Sequence, residues 1–414
     1  MEAEAQADLA TSWRGRTHGT SLDRVYLIIL PRLALISCLI LFTWGLMRMP
    51  SGTTVGPDFV NSWAGSSLAL KGDPAGIYNE ARQWAAEKAA LHQESAGYTC
   101  WFYPPTFIVI DLPLALMPYR VSLAMWLLAT LAAYCCVMWA IVPGEDALWI
   151  ALAFPGVALN ALAGQNGFLT TALFGAGLVY LRSKPQRAGA MFGLLTFKPQ
   201  MGLLVPLVLI ARWQWRAFFA ASCTAIGFAA LSMMMFGIDT WRAFFHSVPI
   251  NAHLLLGDGA IGFAKMQSVY AAARLLGARS MIAYALQIVA AVTSATITIR
   301  IWRSERVSFE VKAAAVAAGT LLMTPYVMDY DLMLLALPIA WMVRDGMRSG
   351  FLRGEKLVLF VAWLLPLFAR WLAQTASIPL APAVIVLLLI AIARRAALYS
   401  DAEEVSACAA IEVA

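Results

Sequence analysis

An all-α polytopic membrane protein is the fold class that the sequence predicts, and three observations predict it. Of 414 residues, 61% are hydrophobic and only 13% charged, and the mean hydropathy is +0.71. A soluble domain carries about 25% charged residues. Apolar runs recur from Leu27 to Ala396, and a helix needs about 20 such residues to span a hydrocarbon core. The excess positive charge, +6, sits in short connections, as it does in loops retained in the cytoplasm. It therefore reads as topology and not as affinity for nucleic acid.

The elements follow in order from that charge asymmetry. A polar tail, residues 1–24, precedes an apolar run of spanning length with no small-residue cleavage site after it; the run is expected to remain as the first helix. The basic stretches at Arg182 to Arg187, Arg212 to Arg216, Arg303 to Lys312, Arg344 to Lys356 and Arg394-Arg395 belong inside. Long outer loops then cover 48–103 and 237–280, a membrane domain runs over 25–396, and 397–414 forms a cytoplasmic tail. The chain reads as one unit of roughly ten to twelve crossings, with its long loops outward.

Two stretches do not count as ordinary crossings. Ala147 to Leu181 must cross once although it has the length of one and a half helices, and Ala188 to Ala211 must start and finish inside although its halves are short. Both are predicted to be broken or re-entrant. Non-helical backbone at membrane depth is tolerated only beside protein or a wet cavity, and these breaks hold "GQNG" (Gly164 to Gly167) and "FKPQ" (Phe197 to Gln200). A polar cavity opening outward is the expected consequence.

In the first outer loop, Phe59, Trp63 and Leu70, and then Trp84, Ala85, Lys88 and Leu91, recur near helical spacing. They predict two amphipathic helices in the outer interface, joined by a turn in "KGDPAGIYN" (Lys71 to Asn79).

The polar residues carry two readings each. Asp58, after Gly56-Pro57, is either a helix N-cap or a general base at the membrane surface. Lys198, between two apolar half helices, defaults to a functional hypothesis: a partner for an anion such as a lipid phosphate, or a structural lysine paired with Asp329 or Asp331. Gln165 and Asn166 suit sugar hydroxyls or a helix end. Gln200 follows Lys198 and Pro199 in the same break. "WFYPPTF" (Trp101 to Phe107), with Tyr103, suits interface anchoring or sugar stacking. The Asp-x-Asp pair in "TPYVMDYDL" (Thr324 to Leu332) is a metal–diphosphate pattern in soluble nucleotide-sugar enzymes, a weak reading away from nucleotide pools. The six cysteines and four histidines are dispersed and give no zinc constellation; no metal ligand set is assigned, and a carboxylate-held divalent cation stays open.

The order "GPDF", "GDPAGIY", "FYPP" with "LPLALMP", "GQNG", "FKPQ" and "TPYVMDYDL", from Val55 to Leu332, resembles glycosyltransferase family 87 of the GT-C superfamily. That family includes polyprenyl-phosphate-mannose-dependent mannosyltransferases. The resemblance implies a GT-C-type fold and inverting transfer of a hexose, mannose by analogy, from a polyprenyl-phosphate carrier to a lipid or glycan acceptor outside the membrane. The family's catalytic acidic residue, at the start of its first outer loop, matches Asp58, which would be the base. Lys198 is then the electrostatic stabiliser of the departing phosphate, with Gln200, Gln165, Asn166 and Tyr103 as ligands to phosphate or sugar, and Asp329, Asp331 and Tyr326 in support. Many relatives carry histidine beside the late acidic residue, where this chain has Tyr326, Met328 and Tyr330.

The implied partners are membrane lipids, the lipid-linked donor and a glycolipid or glycan acceptor, without nucleic acid. No cofactor beyond the donor is called for. A transporter or flippase of lipid-linked sugars also shows broken helices round a polar cavity, but is often built from repeats with a midplane site, and no repeat is evident here. A non-enzymatic assembly protein of the envelope would need neither Asp58 nor Lys198 as chemistry.

Overall fold

The computed structural model describes residues 56–93, 97–144 and 147–412, with side chains as far as 399, and also Arg32 and Ile36. The expected tail at 1–24 and the expected first helix lie outside the described residues. Among the described residues there are seventeen α-helices and no strand. Five of them are long and apolar enough to cross a membrane: Tyr119–Ile141, Trp215–Phe236, Ser280–Arg303, Glu355–Ala376 and the Leu380–Tyr399 part of the last helix. Among the described residues the other expected crossings are in pieces. Leu380–Glu412 is one continuous helix, so the segment assigned as a tail begins inside helical backbone.

The first outer loop folds as α1 (Phe59–Leu70) and α2 (Glu80–Leu91), joined by a 3₁₀ turn, Pro74–Tyr78. The turn is capped by Asp73, whose side chain accepts from Gly76 N. Both helices form where the spacing places them, but α2 packs with the opposite face. Gln83 and Glu87 are its buried residues while Trp84 is exposed, because Gln83 Nε2 reaches Asn61 O at 3.0 Å and Thr99 N reaches Glu87 Oε2 at 2.9 Å. Its apolar side chains are left for the surroundings.

After α3 (Pro105–Asp111) and the span α4 (Tyr119–Ile141), the stretch Ala147 to Leu181 is broken as expected. It forms α5 (Ala147–Ala153), α6 (Pro155–Ala163) and α7 (Gly167–Tyr180). Pro155 ends the first by removing an amide donor, and Gly164, at φ +72°, ends the second. Gly164 N and Gln165 N return to Asn160 O at 2.9 and 3.2 Å, a glycine-terminated helix end. The Asn160 side chain accepts from Gly167 N at 2.8 Å and so starts the next helix.

The second break follows α8 (Pro185–Leu194). Two short 3₁₀ turns, Leu195–Phe197 and Pro199–Gly202, flank Lys198 before α9 (Leu204–Ala211). α8 lies against α10 (Trp215–Phe236) at glycine contacts. A Cβ at Gly189 would stand 2.2 Å from Ala217 O, and one at Gly193 2.6 Å from Ala221 O. Small residues four apart admit this close approach of backbones.

The second expected outer loop holds α11 (Ile238–Ala252) and α12 (Val269–Leu275). Beyond α13 (Ser280–Arg303), α14 (Phe309–Thr320) is buried from Glu310 to its end. α15 (Ala336–Ser349), α16 (Glu355–Ala376) and α17 (Leu380–Glu412) complete the bundle. Arg395, one of the basic residues counted for topology, is only 3% exposed and binds Asp345 and Glu355. It ties α15, α16 and α17 together at the end opposite Asp58.

Candidate active site

The two breaks meet beneath the N-terminus of α1. Gly56 N and Asp58 N donate to Leu162 O and Ala163 O, at 3.3 and 3.1 Å, so the last carbonyls of α6, which lack partners inside the helix, hold the loop that carries Asp58. The packing is backbone on backbone: a Cβ at Gly164 would lie 3.1 Å from Gly56 Cα and 2.7 Å from Phe59 Cβ. Tyr119 Oη donates to Gly56 O at 2.9 Å from the other side.

Asp58 occupies the N-cap position of α1, yet its side chain makes no capping bond, and its backbone is itself in the helical region. The carboxylate turns instead to Gln165 and Lys265. Gln165 Nε2 donates to Oδ2 at 3.0 Å, and Lys265 Nζ lies 3.2 Å from the same oxygen. Gln165 is held in turn by Tyr103, whose hydroxyl donates to Oε1 at 3.3 Å. Of the two sequence readings, the cap is therefore not the one this geometry realises.

Lys198 is 2% exposed. Its ammonium donates to Asp331 Oδ1, to Asn166 Oδ1 at 3.0 Å, and sits 4.7 Å above the Tyr330 ring. Asp331 Oδ2 accepts from Met328 N at 2.9 Å. The lysine thus has the structural partner that was its second reading, and its charge is balanced within the protein.

The Asp-x-Asp pair does not act as a pair. Asp331 turns to Lys198, whereas Asp329 turns the other way to Arg370, whose Nη1 donates to Oδ2 at 2.8 Å. Among the described residues no three His, Cys, Asp or Glu side chains converge as metal ligands do.

Two cavities lie side by side with Tyr330 in the wall of each. One, of about 360 Å³, is lined by Asp58, Lys265, Asp329, Tyr330 and Arg370, with apolar walls from α6 and α16. The other, of about 210 Å³, is lined by Tyr103, Lys198, Gln200, Tyr326, Tyr330 and Asp331, and by the apolar side of α11. Every residue singled out in the sequence thus lines one of the two cavities or, for Gln165 and Asn166, bonds directly to residues that do.

The aromatic run divides: Phe102, Tyr103 and Pro104 line the smaller cavity, while its other rings are packed inside the protein. Trp101 is 1% exposed and packs with Tyr103 and Phe107. Phe107 stacks on Phe197 with centroids 5.1 Å apart, so the run props up the Lys198 corner from below.

Lys265 and Arg370 were missed. Lys265 stands in a glycine-rich loop with no motif round it, but that loop pairs with the late motif. Gln267 N donates to Val327 O at 2.7 Å and Asp329 N to Lys265 O at 3.0 Å. Arg370 carried a readable signal, an arginine well inside an apolar run of spanning length.

The family model of glycosyltransferase family 87 matches residues 101–325, more than half of the chain. The chain belongs to glycosyltransferase family 87. It is accordingly a membrane-embedded glycosyltransferase, as the resemblance implied, and the family settles the enzymatic class against the transporter and scaffold readings. Asp58 lies before the matched residues and Asp329 and Asp331 after them, so their roles rest on geometry. No curated protein and no solved structure matches the chain significantly.

Proposed function

We propose that this enzyme transfers a hexose, mannose by family analogy, with inversion from a polyprenyl-phosphate carrier to a lipid or glycan acceptor, on the outer face of a bacterial cytoplasmic membrane. The observation that carries the reading is Asp58, a helix-start carboxylate withdrawn from capping and aimed into a cavity beside two cations and an apolar helical wall. That combination suits one base, one phosphate and one lipid tail.

In the proposed reaction the acceptor hydroxyl oxygen attacks the anomeric carbon from the face opposite the phosphate. Its proton passes to Asp58. The bond between the anomeric carbon and the phosphate oxygen breaks, and its electron pair leaves with polyprenyl phosphate. A phosphate leaving group needs no carboxylic acid to protonate it, in contrast to glycoside hydrolysis, where two carboxyl groups share the work. Gln165 orients the base, Tyr103 orients Gln165, and the Lys198–Asp331–Asn166 group fixes the wall between the cavities.

Outward placement rests on the charge asymmetry. The purified enzyme in lipid, offered polyprenyl-phosphate mannose, glucose and arabinose with extracted envelope glycolipids, tests the proposal. Polyprenyl phosphate released together with an acceptor elongated by mannose or glucose supports it, and transfer from the arabinose donor alone overturns the hexose. Transfer only from a nucleotide sugar overturns the proposal.

A further inference from the structure

The cations that face Asp58 are not the one the sequence singled out. Lys198 is enclosed, with Asp331 and Asn166 on its ammonium and Tyr330 beneath it. Lys265 and Arg370 instead stand on the wall of the larger cavity, with side chains 22% and 45% exposed. Lys265 has three N–H donors and makes one carboxylate contact, at 3.2 Å to Asp58. Arg370 has five and spends one on Asp329, at 2.8 Å. The rest of both donor sets is unspent in the bonds described.

The surroundings say what kind of anion fits. Leu159, Leu162, Pro366, Leu367 and Trp371 line the same cavity. On α16, which is long and apolar enough to cross a membrane, Phe368 and Trp371 are exposed at 45% and 58%. The charged end of the cavity therefore continues onto an apolar helical surface. A phosphate with an isoprenoid chain satisfies both ends; a soluble anion satisfies one.

We infer that Lys265 and Arg370 form the donor-phosphate site, and that the phosphate draws Lys265 away from Asp58, so that the base is released only when a donor is bound. The inference rests on the reading of the donor as a polyprenyl phosphate. The charges follow the reaction: the bound phosphodiester carries one negative charge, the departing phosphomonoester up to two, and two cations stand ready for the product. Asp58, once separated from Lys265, takes the acceptor proton and becomes neutral, so the cavity gains no net charge during transfer.

The test uses a probe without sugar, so that its result does not depend on which sugar is moved or on whether any is. Farnesyl phosphate, farnesol and inorganic phosphate are titrated by calorimetry into the purified protein, with melting curves to establish that each variant is folded. Farnesyl phosphate is expected to bind, and each of the other two at least tenfold more weakly. Lys265→Gln and Arg370→Gln should each weaken farnesyl phosphate about tenfold or more, as loss of a charge-assisted contact does, while Lys265→Arg restores most of the affinity.

Asp58→Asn removes the carboxylate that competes for Lys265 and should tighten farnesyl phosphate binding, whereas a lysine that never leaves Asp58 for the phosphate would leave it unchanged. Wild-type affinity in folded Lys265→Gln and Arg370→Gln overturns the site. Farnesol or inorganic phosphate binding as well as farnesyl phosphate overturns the ligand, and unchanged or weaker binding by Asp58→Asn overturns the displacement. If farnesyl phosphate behaves as expected but no polyprenyl-phosphate sugar supports transfer, the proposed reaction fails and the lipid-phosphate site stands.

Discussion

Lys198 and Asp331, 133 residues apart in sequence, form an ion pair in which each side chain is at most 2% exposed. Removing one partner of such a pair strands a charge and typically costs about 3–5 kcal/mol, whereas replacing both is often close to neutral. Lys198→Gln and Asp331→Asn should each lower the melting temperature and the yield of folded protein. The double variant should recover most of the loss. Equal destabilisation in single and double variants, measured in the same detergent, would show that the two residues do not act as a pair.

Gly164 fixes the height of Asp58. It needs its positive φ, +72°, and its missing side chain leaves room for Gly56 and Phe59. Alanine there meets backbone at 3.1 Å and a Cβ at 2.7 Å in a conformation that L residues avoid. Gly164→Ala is therefore expected to cost about 1–3 kcal/mol and to reduce transfer at least tenfold, because the loop bearing the base must shift. Gly202→Ala, where a Cβ meets nothing within 4 Å, should be near neutral in melting. Full activity in folded Gly164→Ala would separate the break from the base.

The breaks and the polar residues inside them were legible because lipid is an unforgiving solvent: glycine, proline and amides in apolar runs mark where backbone must find other partners. Lys198, Gln165 and Asn166 followed from that alone; Asp58, at the start of the first outer loop, had two readings and became the catalytic residue only through the resemblance. Lys198 with Asp331, 133 positions apart, was one of two readings of that lysine, whereas Lys265 with Asp58, 207 positions apart, was not legible, because no periodicity encodes which distant loop crosses which. Nor was the buried face of α2, since Gln83 and Glu87 face inward only because Asn61 and Thr99 bring backbone polar groups to meet them.

Glu87 gives a pH dependence with a definite sign. Burial raises its pKa from 4.5 to about 7, against the hydrogen bonds from Thr99 N and Gln83, which lower it. The unfolded chain loses this proton near 4.5 and the folded chain near 7, so above the unfolded value the unfolded state is favoured increasingly until the folded group also ionises. The contribution of this carboxyl to stability is thus fully present below about pH 4.5, falls between about 4.5 and 7, and is constant above. Glu87→Gln should flatten that part of the profile. The check is the melting temperature of wild type minus variant at pH 5 and at pH 8: the difference should be more positive at pH 5, and an unchanged difference would rule out a proton held by Glu87.

Asp58 carries the prediction on which the chemistry turns. An asparagine at 58 keeps the size of the side chain and an oxygen for Gln165 Nε2, now at 3.0 Å from Oδ2, and it loses only a part-exposed ion pair with Lys265, the kind that contributes little to stability. No capping bond is lost, because Asp58 makes none. Asp58→Asn should therefore express, insert and melt like the wild type. It cannot accept the proton of an acceptor hydroxyl, and a positioned general base typically contributes about 100- to 10,000-fold in rate. Transfer by purified Asp58→Asn, followed as released polyprenyl phosphate under saturating donor, should fall by a factor in that range. Asp58→Glu, which keeps the carboxylate but moves it about one methylene too far, should retain a small but larger fraction of activity. If the asparagine variant transfers within a few-fold of the wild-type rate, the proton leaves by another route and Asp58 serves only to hold Gln165 and Lys265 in place.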